Sequence, residues 1–374
     1  MGERVGEGVT SGAPAQEARG SPRSKSSVPP ATVASLRSAG PRGRVIATGW
    51  RRGSSGLVQA VARRHSVEAS HRARISATEA RSGRAGTREA DDGEGCARLA
   101  ARLRSCRMLR RTFQLTSGIG PWRERQLWSQ GVATWDDLET GRGKLASKLD
   151  GRLLEAVGRA RAALAIGDAG ALAGMMPARE RWRLLPAFAN DTAFLDIETD
   201  GGETVTAIAV LDRAGPRVFL RGRDLADFPA ASAGWKLLVT YNGLSFDVPM
   251  LRKAFPGWRP PPAHVDLRHL WARLGHRGGL KRLEEGQGIG RPPHLAGLSG
   301  WDAVLLWRRH EAGDRAALRL LVEYNLYDAV NLRALASLGY NRIVERLGLP
   351  AEPVPVGHRG DWLYDMTRQL LALE

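Results

Sequence analysis

The sequence predicts a mixed α/β domain in its carboxyl-terminal half, preceded by a small helical segment and, before that, a long basic stretch with no core-forming pattern. Three observations support this. Composition changes near Met108, short runs with β-branched residues and turn signals begin at residue 192, and helical apolar spacing dominates after residue 267. The expected boundaries are 1–107, 108–176 and 177–374.

Residues 1–107 are crowded with Arg, Gly, Ser and Ala and hold few large apolar side chains. Such a stretch cannot bury enough apolar surface to offset the entropy of ordering it, and disorder is expected. Of the net charge of +17, +11 falls before Met108 (20 Lys and Arg against 9 Asp and Glu) and +6 after it (36 against 30). A basic balance suits a polyanionic partner, because neutralised phosphates release counterions; a solvated basic tail explains the first part equally simply. Cys96 and Cys106 are the only cysteines, which excludes a disulfide framework and a zinc cluster. No apolar run approaches the roughly 20 residues that cross a bilayer, and the amino terminus lacks the apolar core of a secretory signal. A cytoplasmic protein with no membrane partner is expected. Because Met108 sits at the composition change, a start there, after an over-extended reading frame, is a further expectation.

In the helical segment, Ser117-Gly118-Ile119-Gly120-Pro121 places Pro at the first position of a helix that runs through Leu127 and Trp128. Gly131 is expected to close it, and Asp136-Asp137 to cap the next helix. The pattern looks like a helix-hairpin-helix element. The backbone N–H groups near Gly118 and Gly120 could then receive a phosphate, although such a turn also serves as a plain connection between packed helices.

In the α/β part, 192–198, 204–211 and 217–220 read as three successive strands and 236–241 as a fourth, followed by a helix over 246–254. Helices are predicted over 267–274, 280–285, 299–311 and 315–338. A three-stranded meander leading into alternating strand and helix is the RNase H-like arrangement, a mixed sheet flanked by helices, though element order alone does not separate it from other α/β folds.

Three groups of carboxylates stand out. Asp196 and Glu198 are two apart on the first strand and so share a face, while Ile197 points the other way. Asp247 enters the first turn of a helix among Phe246, Val248, Met250 and Leu251. There it suits the helix amino terminus, but its neighbours are residues made for burial. Tyr324 and Asp328 are four apart on a long helix and share one face; Leu321, Leu332 and Leu335 turn that helix toward a core. An interior acid is costly unless paired or metal-bound. Carboxylate oxygens suit hard divalent cations, and two ions about 3.5–4 Å apart can activate water and stabilise a leaving phosphodiester oxygen.

The region resembles the YprB-like branch of the RNase H-like superfamily, within the tyrosine-type DEDD exonucleases. Asp196-Ile197-Glu198-Thr199 is similar to the first motif, Asn242 to Asp247 with Pro249 to the second, and Tyr324 to Asp328 to the third. His264 to Leu267, Leu280 to Glu284, Gly288 to Arg291, and Gly313-Asp314 also look like this branch. The resemblance implies that Asp196, Glu198, Asp247 and Asp328 hold two Mg2+ or Mn2+ ions and that Tyr324 orients the attacking water. It implies substrate contacts for Asn242, Phe246, Thr199 and Lys281, secondary roles for Asp266, and 3′ to 5′ hydrolysis of single-stranded DNA or RNA ends. Two positions depart from it: Gly278-Gly279 replaces a Cys or Ser usual in related chains, and Asp200 is an extra acid after Thr199. A non-catalytic nucleic-acid-binding module, or an adaptor on the same fold, is the competing expectation. Trp122, Trp128 and Trp135 are candidates for stacking on bases, but their near-helical spacing favours the core, and Trp301 and Trp307 are likewise expected in the core.

Overall fold

The computed structural model describes residues 107–141, 145, 147–348, 353–357 and 359–373. The expectation of disorder over 1–107 therefore falls, except for Arg107, outside the described residues, as do both cysteines.

The first elements among the described residues are a 3-10 turn at Leu109–Arg111, then helices α1 (Pro121–Ser129), α2 (Trp135–Glu139), α3 (Ser147–Ile166) and α4 (Ala169–Met175). Gly118, at φ +90°, makes the turn before α1, Gly120 caps it and Pro121 opens it. The predicted cap of α2 is corrected in part: Thr134 is the N-cap residue, and its hydroxyl and the Asp137 carboxylate form a capping box. Asp136 instead accepts from Arg161 at 2.8 Å and pairs with Arg110.

A five-stranded sheet follows: β1 (Thr192–Thr199), β2 (Val205–Asp212), β3 (Gly215–Leu220), β4 (Leu237–Thr240) and β5 (Ala263–Asp266), in the order β3-β2-β1-β4-β5. β1, β2 and β3 pair antiparallel as a meander, while β4 and β5 add in parallel. β5 was not expected: four residues after three prolines give no alternation to read. The remaining helices are α5 (Phe228–Ser232), α6 (Asp247–Ala254), α7 (Leu267–Arg273), α8 (Leu280–Gly286), α9 (Gly300–Glu311), α10 (Arg315–Leu347) and α11 (Leu363–Leu371). α10 runs nine residues beyond its predicted end at Leu338, to Gly348 at φ +64°. This is the left-handed cap that glycine favours.

The period of two on β1 sorts its side chains. Ala193, Leu195 and Ile197 enter a core with Phe228, Val248 and Leu251 beneath α5 and α6. Phe194, Asp196 and Glu198 point to the opposite face, which α10 covers. Residues 324–332 of α10 are all buried, because sheet, α9 and other helices surround that stretch. A third cluster joins Leu109, Phe113, Trp135 and Trp182 to Val239, Val265, Trp271 and Tyr340, so the first helices and the sheet share a core. Among the described residues no helix is long and apolar enough to cross a membrane.

Candidate metal centre

β1 and β4 run side by side only from Thr192 opposite Leu237 to Phe194 opposite Val239. Beyond that point β4 ends and the chain turns away through Asn242, at φ +69°, while β1 continues to Thr199. The crevice between diverging parallel strands is where α/β sheets place their ligands. Asp196 and Glu198 lie on β1 as it passes this junction, and its pairing with β2 is irregular between Glu198 and Thr199. Such bulges recur beside active sites and re-aim side chains.

Asp328, delivered by α10, meets both. One oxygen from each of Asp196, Glu198 and Asp328 lies within 4.8 Å of the others, a spacing suited to a shared cation. Asp247 is outside that set of three, yet next to it: the backbone N–H of Ile197 hydrogen-bonds its carboxylate, across the gap that β4 leaves. Glu198, Asp247 and Asp328 are buried, and Asp196 is half-buried. Burial first, and then repulsion from Asp328, Asp247 and Glu198, holds Asp196 well above the ordinary carboxylate range. Burial and Asp328 do the same to Glu198. Burial raises Asp247 to about 7. Like charges buried together disfavour ionisation, and a divalent cation is the natural relief. The donor set, all hard carboxylate oxygen, fits Mg2+ or Mn2+.

The supports come from elements far apart in sequence. Asn325 donates to Asp196 at 2.8 Å. Arg291 bonds Asp328 and holds Glu284 through two 2.7 Å contacts, and Asn331 donates to Glu284 at 3.0 Å. No local sequence pattern assigns Arg291 and Glu284 a role, because their partners Asp328 and Asn331 lie on α10. Lys281 bonds the Tyr324 hydroxyl, lies 4.3 Å from its ring centre and 3.8 Å from Asp328. Tyr324 is buried, and burial with the neighbouring acids pushes its hydroxyl far up, so it stays protonated.

The second motif is a scaffolded turn. Asp266 accepts the N–H groups of Asn242 at 2.8 Å, Leu244 at 3.2 Å and Arg268 at 3.0 Å. Asn242 takes a bond from Arg268 at 2.6 Å. At Gly243 an added Cβ would fall 2.2 Å from the Thr240 hydroxyl, so only glycine fits. Phe246 and Leu244 are 43% and 45% exposed, which leaves two apolar side chains of this turn open. Thr199 is buried and its hydroxyl accepts the Gly201 N–H at 3.3 Å, a turn contact. Asp200, the extra acid, likewise accepts from Gly202 and Thr204 and caps the β1–β2 turn. Gly118 and Gly120 sit at the start of α1 and contact none of these residues; beside Gly120 there is open space. The aromatic expectations divide. Trp135 and Trp307 are buried and Trp128 packs partly against the core, but Trp122 is 67% and Trp301 59% exposed. Trp301 caps the Gly201 turn from α9 instead of entering the core, and Trp122, at the second position of α1, points outward from a helix whose buried side carries Glu124 and Leu127.

Residues 193–340 match the family model described as RNase_H superfamily, and with the five-stranded mixed sheet flanked by helices this part of the chain has an RNase H-like fold. Among solved structures, the family B DNA polymerase from the hyperthermophilic archaeon Pyrobaculum calidifontis is similar at 20% identity over 48% of this chain and 29% of that one, with a TM-score of 0.32. Comparison with curated proteins gives no match.

Proposed function

We propose that the RNase H-like domain is a metal-dependent nuclease of the tyrosine-type DEDD kind, similar to the YprB-like branch, that hydrolyses single-stranded nucleic acid from its 3′ end. The observation that carries this reading is the meeting of Asp196, Glu198 and Asp328, from β1 and α10, within 4.8 Å at the strand junction. These three would hold one divalent cation, and Asp247, across the junction, would complete a second position. Bound cations supply positive charge beside the attacking water and the leaving oxygen of a phosphodiester.

The chain's own groups do the rest. Tyr324, kept protonated, is a hydroxyl donor aimed by Lys281, suited to orienting a water or a phosphate oxygen. Lys281 brings a fixed ammonium to within 3.8 Å of Asp328, where charge on a phosphate would be felt. Asn325 and Arg291 hold one oxygen each of Asp196 and Asp328, which leaves the other oxygens to face the centre. The exposed Phe246, next to Asp247 in the chain, offers apolar contact to an unstacked terminal base.

The test is hydrolysis of end-labelled single-stranded DNA and RNA by the full chain in Mn2+, Mg2+ or chelator. A ladder from the 3′ end is expected with metal and none with chelator. Asp196→Asn should lower the rate by more than about 100-fold, since even residues behind the ligands commonly account for 10- to 100-fold, and should leave binding intact. Binding without cleavage in every condition would make the domain a binding module instead.

A further inference from the structure

The turn that carries Asp247 has a second side. Behind it lies a cleft of about 370 Å³, bounded by Arg179 and Arg181 from the 3-10 segment Ala178–Leu184, by His264 and Asp266 of β5, and by His269 and Arg273 of α7. Leu244, of the same turn, forms its rim.

The acids at this cleft are committed inward. Glu180 is fully buried, with Arg183 at 2.9 Å on one oxygen and Arg273 at 2.9 Å on the other. Asp266 is occupied by three backbone N–H groups of the turn. The cations are less matched. Arg181 donates to the Ala173 carbonyl at 3.3 Å, a neutral acceptor. Arg179 is 61% exposed and approaches Glu180 no closer than 3.8 Å. Burial lowers His264 to about 4; Asp266 opposes this, while Arg181 and His269 act in the same direction as burial. Three arginines, Arg179, Arg181 and Arg273, thus line the cleft against one acid, Asp266, and the cleft shares its wall with the turn that positions Asp247.

We propose that this cleft receives the phosphodiester backbone of the nucleic-acid strand as it leaves the acid centre, so that the 178–184 segment is part of the substrate surface. Guanidinium groups pair with phosphate oxygens in a fixed fork. The position of the scissile phosphate rests on the nuclease reading; binding at the cleft is measured independently of it. A free nucleotide has the same phosphate chemistry, and length separates it from a strand.

Full-length protein carrying Asp196→Asn is titrated, in chelator, with labelled oligonucleotides of about 12 nucleotides, within the usual span of single-strand sites, at increasing salt. Adding Arg179→Gln with Arg181→Gln should weaken binding about tenfold and lower the salt slope by about 1.4, at about 0.7 per phosphate contact. Arg221→Gln with Arg223→Gln, beside β3 at the far edge of the sheet, should change neither. With Asp196 intact, the Arg179/Arg181 variant should show a raised KM on the long substrate and an unchanged KM and kcat on a dinucleotide. Arg179→Gln alone, at an exposed position, should show about half the change in slope and guards against misfolding of the pair. Unchanged affinity and slope in melting-competent variants would overturn the proposal, as would full displacement of the oligonucleotide by a mononucleotide at equal phosphate concentration. If no substrate is cleaved but the binding contrast persists, the nuclease reading fails and the cleft stands.

Discussion

Glu124 and Glu180 are buried in the segments that precede the sheet, and Glu198, Asp247 and Asp328 in the sheet and the helices that follow its first strand, but the two groups are buried in opposite ways. Around Arg183, itself 1% exposed, Glu124 takes contacts at 3.0 and 2.8 Å and Glu180 takes contacts at 3.0 and 2.9 Å. Glu124 also accepts from Phe113 N–H at 2.8 Å and Gln114 at 2.7 Å, and Glu180 from Arg273 at 2.9 Å. Charge and hydrogen-bond demand are both met within the fold. At the strand junction the acids face one another, and the two cations nearby, Arg291 and Lys281, both engage Asp328. Burial of an acid is thus not the mark of function here. The mark is burial with the charge left for something else to match.

The largest expected contrast is in stability. Arg183→Ala leaves the buried Glu124 without its cation and Glu180 with Arg273 as its close one, and should cost about 3–5 kcal/mol, read by urea denaturation. Asp196→Asn removes a repelled charge and should raise the melting temperature in chelator. If both variants lose stability alike, the distinction between the two groups is lost.

The next effect is with pH. Asp247, raised to about 7, and Asp196 and Glu198, also raised, hold protons in the folded chain that the unfolded chain releases near pH 4. Their contribution to stability is therefore fully present at low pH and declines as pH rises from about 4 through about 7, by on the order of a few kcal/mol. Melting curves in chelator should show that decline, and Mn2+ should flatten it by compensating the ionised forms. A flat profile in chelator would mean that the acids are matched after all.

The smallest effect is at the turn. Asn242 at φ +69° tolerates the left-handed region better than most residues. Asn242→Ala should cost about 1 kcal/mol, and Asn242→Gly less, the remaining loss being the Arg268 hydrogen bond. Equal losses in chemical denaturation would place the cost in that bond and not in the backbone.

Much of the candidate centre was legible because its parts are local patterns. Asp196 and Glu198 share a face by the period of a strand, Tyr324 and Asp328 by the period of a helix, and Asn242-Gly243 marks a turn by its composition. The four strands of the meander and its continuation, and the helices after them, were also readable, with ends shifted by a few residues and α10 extended by a further stretch. β5 escaped because a short edge strand buried at Ala263, Val265 and Asp266 reads neither as alternation nor as an apolar run. Trp301 and Trp122 escaped because helical spacing says which residues share a face, not whether that face is covered.

By itself the sequence determined the α/β class, the motif residues and the faces on which they lie, since each depends on positions only a few residues apart. The tertiary structure alone decided what meets at the strand junction: Asn325 with Asp196 across 129 positions, Arg291 with Asp328 across 37, Asp266 beneath the second motif, and Arg181 beside α7. Such contacts follow from where parallel strands diverge and how helices cross the sheet. Those are properties of the packed layers, and no short window of residues contains them.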